Sequence, residues 1–246
     1  MREIKIINTQ AVNDELSEIK KELSELQVGR LYLRRGYHYC KFQNREIGLK
    51  NKPYLVRELS RRAYLEQRQI QLKNNLKNLT DKFDDRTPQQ LIAGLPQAYQ
   101  NLPLEYFYHP TVEKWLAKPP RFNTFNLDDV IYEYKDIKYR SLSEREIAQK
   151  LSDNNLLFYY DIRFSTGTAE LSPDFYIKNP FNGRIYLWEF FGAFHLPKYG
   201  ERMNEKMATY AQIGFHESDN LIVTFNYHLR DTELIQNLID QIIWQI

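Results

Sequence analysis

Cysteine is almost absent from this chain, Cys40 being the single one in 246 residues. That excludes an internal disulfide framework and any cysteine-rich zinc site, and it fits a reducing compartment. Cys40 itself reads as a small buried apolar residue. Long apolar runs are missing too: no uninterrupted stretch approaches the ~18 residues of a membrane span. The opening MREIKIINTQAVNDE has no apolar run of signal-peptide length. The expectation is a soluble, cytoplasmic protein with no membrane partner. Glycine is scarce, nine residues against 18 Tyr and 14 Phe, so aromatic rings supply much of the packing. There is no internal repeat or low-complexity tract, and the length allows one large domain or two small ones of ~100–200 residues.

Charge is unevenly spread. The formal net charge of +2 conceals thirteen Lys or Arg against three acids (Glu46, Glu58, Glu66) in residues 30–77, and fifteen basic against twenty acidic residues in 91–246. A basic arm on a mildly acidic body points to an anionic partner, with nucleic acid ahead of membrane. Within the arm, Val12, Leu16, Ile19, Leu23 and Leu26 recur at heptad-like helical spacing. A second stripe runs through Leu55, Leu59, Leu65, Leu72, Leu76 and Leu79. The two predict an antiparallel helical hairpin over residues 1–80. Its apolar stripe could also serve a homodimer or another protein. Between the helices, Leu31, Leu33, Tyr37, Tyr39 and Lys41 alternate across Arg34, Arg35 and Gly36, which predicts a β-hairpin tip. Arg34, Arg35, Lys41, Arg45, Lys50 and Lys52 are interleaved there with Tyr32, Tyr37, Tyr39 and Phe42. Such cations meet phosphates and such rings stack on bases; the same rings could instead pack the hairpin.

Residues 81–139 read as a connector packed on the C-terminal domain, with short helices from Pro88 after Thr87 and from Thr111 to Ala117. From 140 to 246 the pattern is cleaner. A helix opens at Ser143 with Glu146 as capping-box partner. Strands follow at about 156–164, 171–178 and 184–191, the last after the Asn182-Gly183 turn. A helix from about Pro197 to Ile213, a strand at 220–226 and a helix from Thr232 to Gln245 complete the chain. The expected class is α/β (α+β), a mixed central sheet in α-β-β-β-α-β order flanked by helices.

Three acids fall at informative places. Asp174 and Glu189 lie about equally far from the hairpin centre near Phe181, so they stand nearly opposite on antiparallel neighbours. Two carboxylates there repel, and a divalent cation is the usual remedy. Magnesium (or manganese) suits them, since Mg²⁺ often takes one or two carboxylates and leaves its other positions to water and substrate phosphate. That arrangement allows phosphodiester hydrolysis. Glu144 shares a helix face with Ile147, Ala148 and Leu151 and so points toward the sheet. Trp188 and Phe190 lie on the opposite strand face and read as core.

The pieces SEREIA, SPDF and WEFFG, in this order of elements, resemble the PD-(D/E)XK nuclease superfamily over about the last 105 residues. More narrowly, RSLSEREIAQKL, LSPDFYI, LWEFFG, KYGERMNEKMATYAQIGF and DNLIVTF are similar to uncharacterised Gram-positive bacterial and phage proteins that have this domain behind a basic coiled-coil arm. The resemblance implies a divalent-metal-dependent DNA endonuclease with Asp174 and Glu189 on the metal and Glu144 assisting. It also implies a lysine two residues after the second acid, where this chain has Phe191. A migrated base is then expected: Lys206 first, Lys198 second. Lys178 shares a strand face with Asp174 but lies ~13 Å along it, too far for one water. Tyr210, one helical turn beyond Lys206, either holds that lysine or packs in the core, and His195, near the mouth implied by Gly192 and Pro197, reads as a loop histidine ahead of a metal ligand or base. Without a working lysine the expectation becomes a nuclease-fold protein that binds nucleic acid or a host-defence complex without cleaving, as a phage or mobile-element factor.

Overall fold

The computed structural model describes residues 9–42, 45–78, 83–122, 132–165, 170–192, 197–217, 219–228 and 231–244. The chain is mixed α and β, and it divides into two compact units with the boundary between His109 and Pro110.

In the first unit, helix α1 (Thr9–Glu25) buries Ala11, Val12, Glu15 and Ile19. Helix α2 (Pro53–Lys77) buries Leu55, Leu59, Leu65 and Leu72 along with Arg61 and Arg68. The seam between them is therefore partly ionic. Arg68 makes a two-point ion pair with Glu15 at 2.8 and 3.1 Å, and Arg61 one with Glu22 at 2.8 and 2.9 Å. Each pair advances seven residues along one helix and retreats seven along the other, which makes the helices antiparallel. Leu16, Leu23 and Leu26 are only half-buried because Glu15 and Glu22 take the inner positions. The stripe is thus used within the chain, α1 against α2.

Strands β1 (Arg30–Arg34), β2 (Tyr37–Phe42) and β3 (Arg45–Gly48) form an antiparallel meander, one strand more than the expected hairpin. Arg34 pairs with Tyr37, leaving Arg35 and Gly36 as a two-residue turn with φ of 51° and 81°. Positive φ at both central positions is the type I′ signature, whose twist matches that of the strands it joins.

Residues 81–139 are not one connector. Helices α3 (Pro88–Ala93) and α4 (Gln97–Gln100) and the 3₁₀ turn Leu104–Phe107 belong to the first unit. Asn75 exchanges hydrogen bonds with the Asp84 backbone at 2.8 and 2.9 Å, the Tyr99 hydroxyl accepts from Leu31 N at 2.9 Å, and Arg61 donates to the Phe107 carbonyl at 2.7 Å. These polar groups of α2 and β1 recruit the segment. Only Pro110 onward joins the second unit.

That unit begins with α5 (Thr111–Ala117), β4 (Arg121–Phe122) and a hairpin of β5 (Tyr132–Tyr134) and β6 (Ile137–Tyr139). Helix α6 (Leu142–Asp153) is capped by Ser141 and not by Ser143. Both serines have a glutamate three residues on. The box formed is Ser141 with Glu144, which leaves Glu146 outside it. Then follow β7 (Leu157–Tyr160), β8 (Ile162–Ser165), β9 (Glu170–Leu171), β10 (Phe175–Lys178), β11 (Ile185–Phe191), α7 (Pro197–Gln212), β12 (Leu221–Phe225) and α8 (Thr232–Trp244). The strand expected at 156–164 is broken at Asp161, whose φ of 49° ends β7 and sends β8 into a side sheet of order β4-β8-β9. The strand expected at 171–178 is likewise divided between β9 and β10.

The central sheet has the order β12-β11-β10-β7, parallel between β11 and β12 and antiparallel elsewhere. Alternation along β11 sorts its side chains. Leu187 packs with Tyr210 of α7 and Leu221, while Trp188, fully buried on the other face, donates to Thr224 Oγ1 at 2.8 Å. No helix among the described residues is long and apolar enough to cross a membrane.

Candidate functional site: a buried acid cluster and a basic sheet face

The register Phe175↔Trp188, continued by one residue, sets Asp174 across from Glu189 at the end of the β10–β11 ladder. Both are buried, at 5% and 1% exposure. Asp174 Oδ2 accepts from Phe190 N at 2.7 Å, and its Oδ1 accepts from Arg140 Nη2 at 2.6 Å. Glu189 accepts from Lys206 Nζ at 2.7 to 2.8 Å and, through Oε1, from the Tyr210 hydroxyl. Lys206 also donates to the Ser172 carbonyl at 2.7 Å. One turn of α7 therefore delivers Lys206 and Tyr210 together, since residues four apart share a helix face. Tyr210 is fully buried and belongs both to the core and to the site.

Glu144 comes from the first turn of α6. It is buried with Ile147, Ala148 and Leu151, accepts from the Tyr160 hydroxyl at 2.7 Å, and lies 3.9 Å from Arg140. The Tyr160 hydroxyl in turn accepts from Arg140 N at 3.0 Å. Asp161, the residue that breaks the strand, joins at 3.8 Å from the same guanidinium. Four acids thus surround two cations, and the acids outnumber them.

The energetics follow from burial. Desolvation, joined by the Asp174 charge and opposed by Lys206 and Tyr210, pushes the Glu189 carboxyl up to about 8. Burial also raises Asp174, against the pull of Lys206 and Arg140, and it raises Glu144 with help from Asp174. Burial works against the charge on Arg140, but Asp174, Asp161 and Glu144 hold it above its ordinary range. Two effects meet at Glu189: the Lys206 contact suits a carboxylate, and the buried setting beside Asp174 suits the acid. The second is the larger, so a proton is readily held there.

Of the residues singled out from the sequence, Glu144, Asp174, Glu189 and Lys206 belong to this cluster. Lys178 does not, its ammonium being turned to the Gly183 carbonyl at 2.8 Å. Phe191 is buried, with its ring 6.1 Å from that of Phe225. His195 lies outside the described residues, as does the side chain of Lys198. The sequence reading missed Arg140, Tyr160 and Asp161. For Asp161 there was a signal, an aspartate interrupting LFYY-IRF, since aspartate is among the few residues that enter the left-handed region readily. Among the described residues, no group of three or more acidic, histidine or cysteine side chains converges as a ready-made metal cage. Asp174 and Glu189 are two facing carboxylates, the number magnesium often takes, and each already holds a cationic partner, Arg140 and Lys206.

The first unit presents a different surface. By the strand register, Arg30, Tyr32, Arg34, Tyr37, Tyr39 and Lys41 share one face of the meander. Arg34, Arg35, Lys41, Arg45 and Lys50 are exposed, and Lys52 at the start of α2 is half-buried. Tyr32 and Tyr39 stack at 5.9 Å, and Lys50 lies 5.8 Å from the Tyr37 ring centre. Glu46 tempers the charge by pairing with Arg34 at 3.3 Å and accepting from Tyr32. Beside this face an open cavity of about 300 Å³ is lined by Tyr37, His38, Lys50, Pro53, Pro103 and Tyr106, among others.

Comparison of the chain with protein-family models, with curated proteins and with solved structures found no match.

Proposed function

We propose that the second unit is a divalent-metal-dependent DNA endonuclease of PD-(D/E)XK type and that the basic tip of the first unit supplies sequence-independent phosphate contacts. The observation behind this reading is Lys206: a lysine from α7 meets Glu189 beside Asp174, where the strand itself offers Phe191. With the side-sheet strands β8 and β9 set aside, the succession of α6, β7, β10, β11, α7 and β12 supports it, being the α-β-β-β-α-β order of that superfamily.

Asp174 and Glu189 would hold Mg²⁺ or Mn²⁺, which when bound neutralises charge developing on the phosphate and lowers the pKa of its water. The chain's own groups do the rest. The Lys206 ammonium lies within 2.8 Å of both Glu189 oxygens and of the Ser172 carbonyl, and orienting the attacking water is the role assigned to it once a metal takes one of those oxygens. Tyr210 fixes the Glu189 carboxylate from the core side. Glu144, held by Tyr160 and the α6 cap, keeps the field around Asp174 negative and favours cation uptake. At the tip, Arg34, Arg35, Lys41, Arg45, Lys50 and Lys52 contact phosphates while Tyr37 and Tyr39 offer faces to bases.

A second reading is favoured by the same ion pairs. Arg140 on Asp174 and Lys206 on Glu189 already neutralise both acids, which suits a nuclease-fold protein that binds nucleic acid or a host-defence partner without cutting it. Incubation of plasmid, linear and single-stranded DNA with Mg²⁺ or Mn²⁺ separates the two. The nuclease reading expects cleavage by wild type and none by Asp174→Ala or Glu189→Ala. DNA binding without cleavage in either metal favours the second. Cleavage surviving in both variants removes the support for this site.

A further inference from the structure

The open cavity beside the basic sheet face is built mainly from rings. Tyr37, His38, Pro53, Pro103 and Tyr106 line it, over the buried side chains of Leu49 and Val56. Tyrosine and proline rings are stiff and present broad apolar faces. At about 300 Å³ the cavity stands at the lower end of the ~300–1,000 Å³ range of small-ligand clefts. It has room for one planar ring system.

These walls are fastened in place. The His38 carbonyl accepts from Leu49 N at 2.9 Å, and its ring Nε2 donates to the Ala98 carbonyl at 2.9 Å. The 3₁₀ turn that carries Tyr106 is closed by Tyr106 N on the Pro103 carbonyl at 3.0 Å and tied to α2 by Arg61 on the Phe107 carbonyl at 2.7 Å. A preformed site loses less to the ordering of its own groups when a ligand arrives. The charged member of the lining is Lys50, which is exposed and holds its ammonium 5.8 Å from the Tyr37 ring centre. Arg34, Arg35 and Lys41 are exposed on the same meander, so the field around the cavity is positive.

Aromatic walls with a cation at the rim suit a flat ring joined to an anion, the chemistry of a nucleotide. We infer that this cavity takes one unpaired nucleobase against Tyr37 and Tyr106, with the adjoining phosphate on Lys50, so that the tip reads unpaired nucleotides. The inference rests on the phosphate-binding reading of the tip proposed above and adds the strand type to it. In a duplex the faces of each base are covered by its neighbours, and a base must leave the stack to enter a pocket. A single strand offers its bases without that cost.

Two measurements test it. Fluorescence anisotropy compares a labelled single strand with an abasic strand of the same length, which keeps the phosphates and lacks the bases. Wild type is expected to bind the ordinary strand about tenfold more tightly, the scale of one stacked base, and folded Tyr106→Ala is expected to lose most of that difference with its salt dependence unchanged, since no phosphate contact is removed. In wild type, where folding is not at issue, 5-iodouracil in a single strand is expected to photo-cross-link to Tyr37 or Tyr106, mapped by peptide mass spectrometry, and far less when the same base is paired in a blunt duplex. Equal binding of ordinary and abasic strands, undiminished discrimination in folded Tyr106→Ala, cross-links confined to Tyr32 and Tyr39, or equal cross-linking of the paired base each overturns the base pocket and leaves the phosphate contacts standing. Absence of binding to either strand by wild type overturns it together with the reading of the tip.

Discussion

Glu189 has more conflicting demands on it than any other side chain described here, and pH resolves them. Its carboxyl titrates near 8 in the folded protein against an ordinary 4.5, so between those values the folded chain holds a proton that the unfolded chain has released. Stability from this group is complete below the ordinary value and is lost as pH rises through about 8. Asp174 and Glu144, also raised, add slope of the same sign. Glu189→Gln is expected to flatten the fall in stability over this window without abolishing it, as denaturant titrations at stepped pH will show; an unchanged slope speaks against a buried proton at Glu189. The same proton competes with a metal, so Mn²⁺ uptake by wild type should strengthen as pH rises toward about 8. Lys206 is a test of chemistry. If its ammonium orients the attacking water, Lys206→Met lowers kcat by about 100-fold or more and leaves KM for DNA little changed. A variant with full kcat would return Lys206 to the role of structural ion-pair partner.

At the scale of elements, the ionic seam of the helical hairpin is open to measurement. Removing one partner of a buried pair leaves a charge without its counter-ion and costs ~3–5 kcal/mol, whereas replacing both by apolar residues of similar size is often close to neutral. Arg68→Met is thus expected to be severely destabilising, and the pair Glu15→Leu with Arg68→Met far less so, in a double-mutant cycle read by urea denaturation. A loss in the double variant equal to the sum of the two single losses would mean that the pair contributes nothing specific. These elements also mark what the sequence discloses. Helices α1, α2, α7 and α8 and the strands β11 and β12 follow from apolar patterning between turn residues, and α5 from the prolines that bound it. The opposition of Asp174 and Glu189 follows from counting around the Asn182-Gly183 turn. Hidden from such counting were features decided by long-range partners. Ser141 prevailed over Ser143 as cap, with Glu144 held also by Tyr160. Asp161 broke a strand whose backbone continues into a second sheet. Glu15 and Glu22 entered the helical seam because Arg68 and Arg61 wait there, which no pattern of apolar residues announces. Arg140 precedes the α6 cap and meets acids 21 and 34 residues away in sequence, a convergence no local spacing discloses.

For the whole molecule, charge is divided unevenly along the chain. Residues 30–77 are strongly basic and 91–246 mildly acidic. Several of the arm's arginines are nonetheless committed inside it: Arg61 and Arg68 to glutamates, and Arg62 to the Leu23, Leu26 and Gln27 carbonyls. The charge offered outward is therefore smaller than composition implies and concentrated at the tip. Fluorescence anisotropy of labelled DNA across a salt series should show a log–log slope that drops by roughly 0.9 for each phosphate contact removed. An Arg34→Ala, Arg35→Ala, Lys41→Ala variant is expected to lose about two such contacts, since Arg34 is partly spent on Glu46. A slope identical to wild type would place the nucleic-acid contact elsewhere.

The seven-residue interval shared by Glu15 and Glu22 on one helix and Arg61 and Arg68 on the other also bears on how the hairpin finds its alignment. Sliding α1 along α2 by one heptad keeps the apolar stripe in contact, and leucines alone would tolerate the slip. The charges would not. One offset unites Glu15 with Arg61 and strands Glu22 and Arg68; the other unites Glu22 with Arg68 and strands Glu15 and Arg61. Each misalignment buries an acid and a guanidinium without partners, at several kcal/mol. Two ion pairs set at the heptad interval thus act as a key with two teeth, which turns only in the alignment that brings the Arg35-Gly36 turn to its place at the tip.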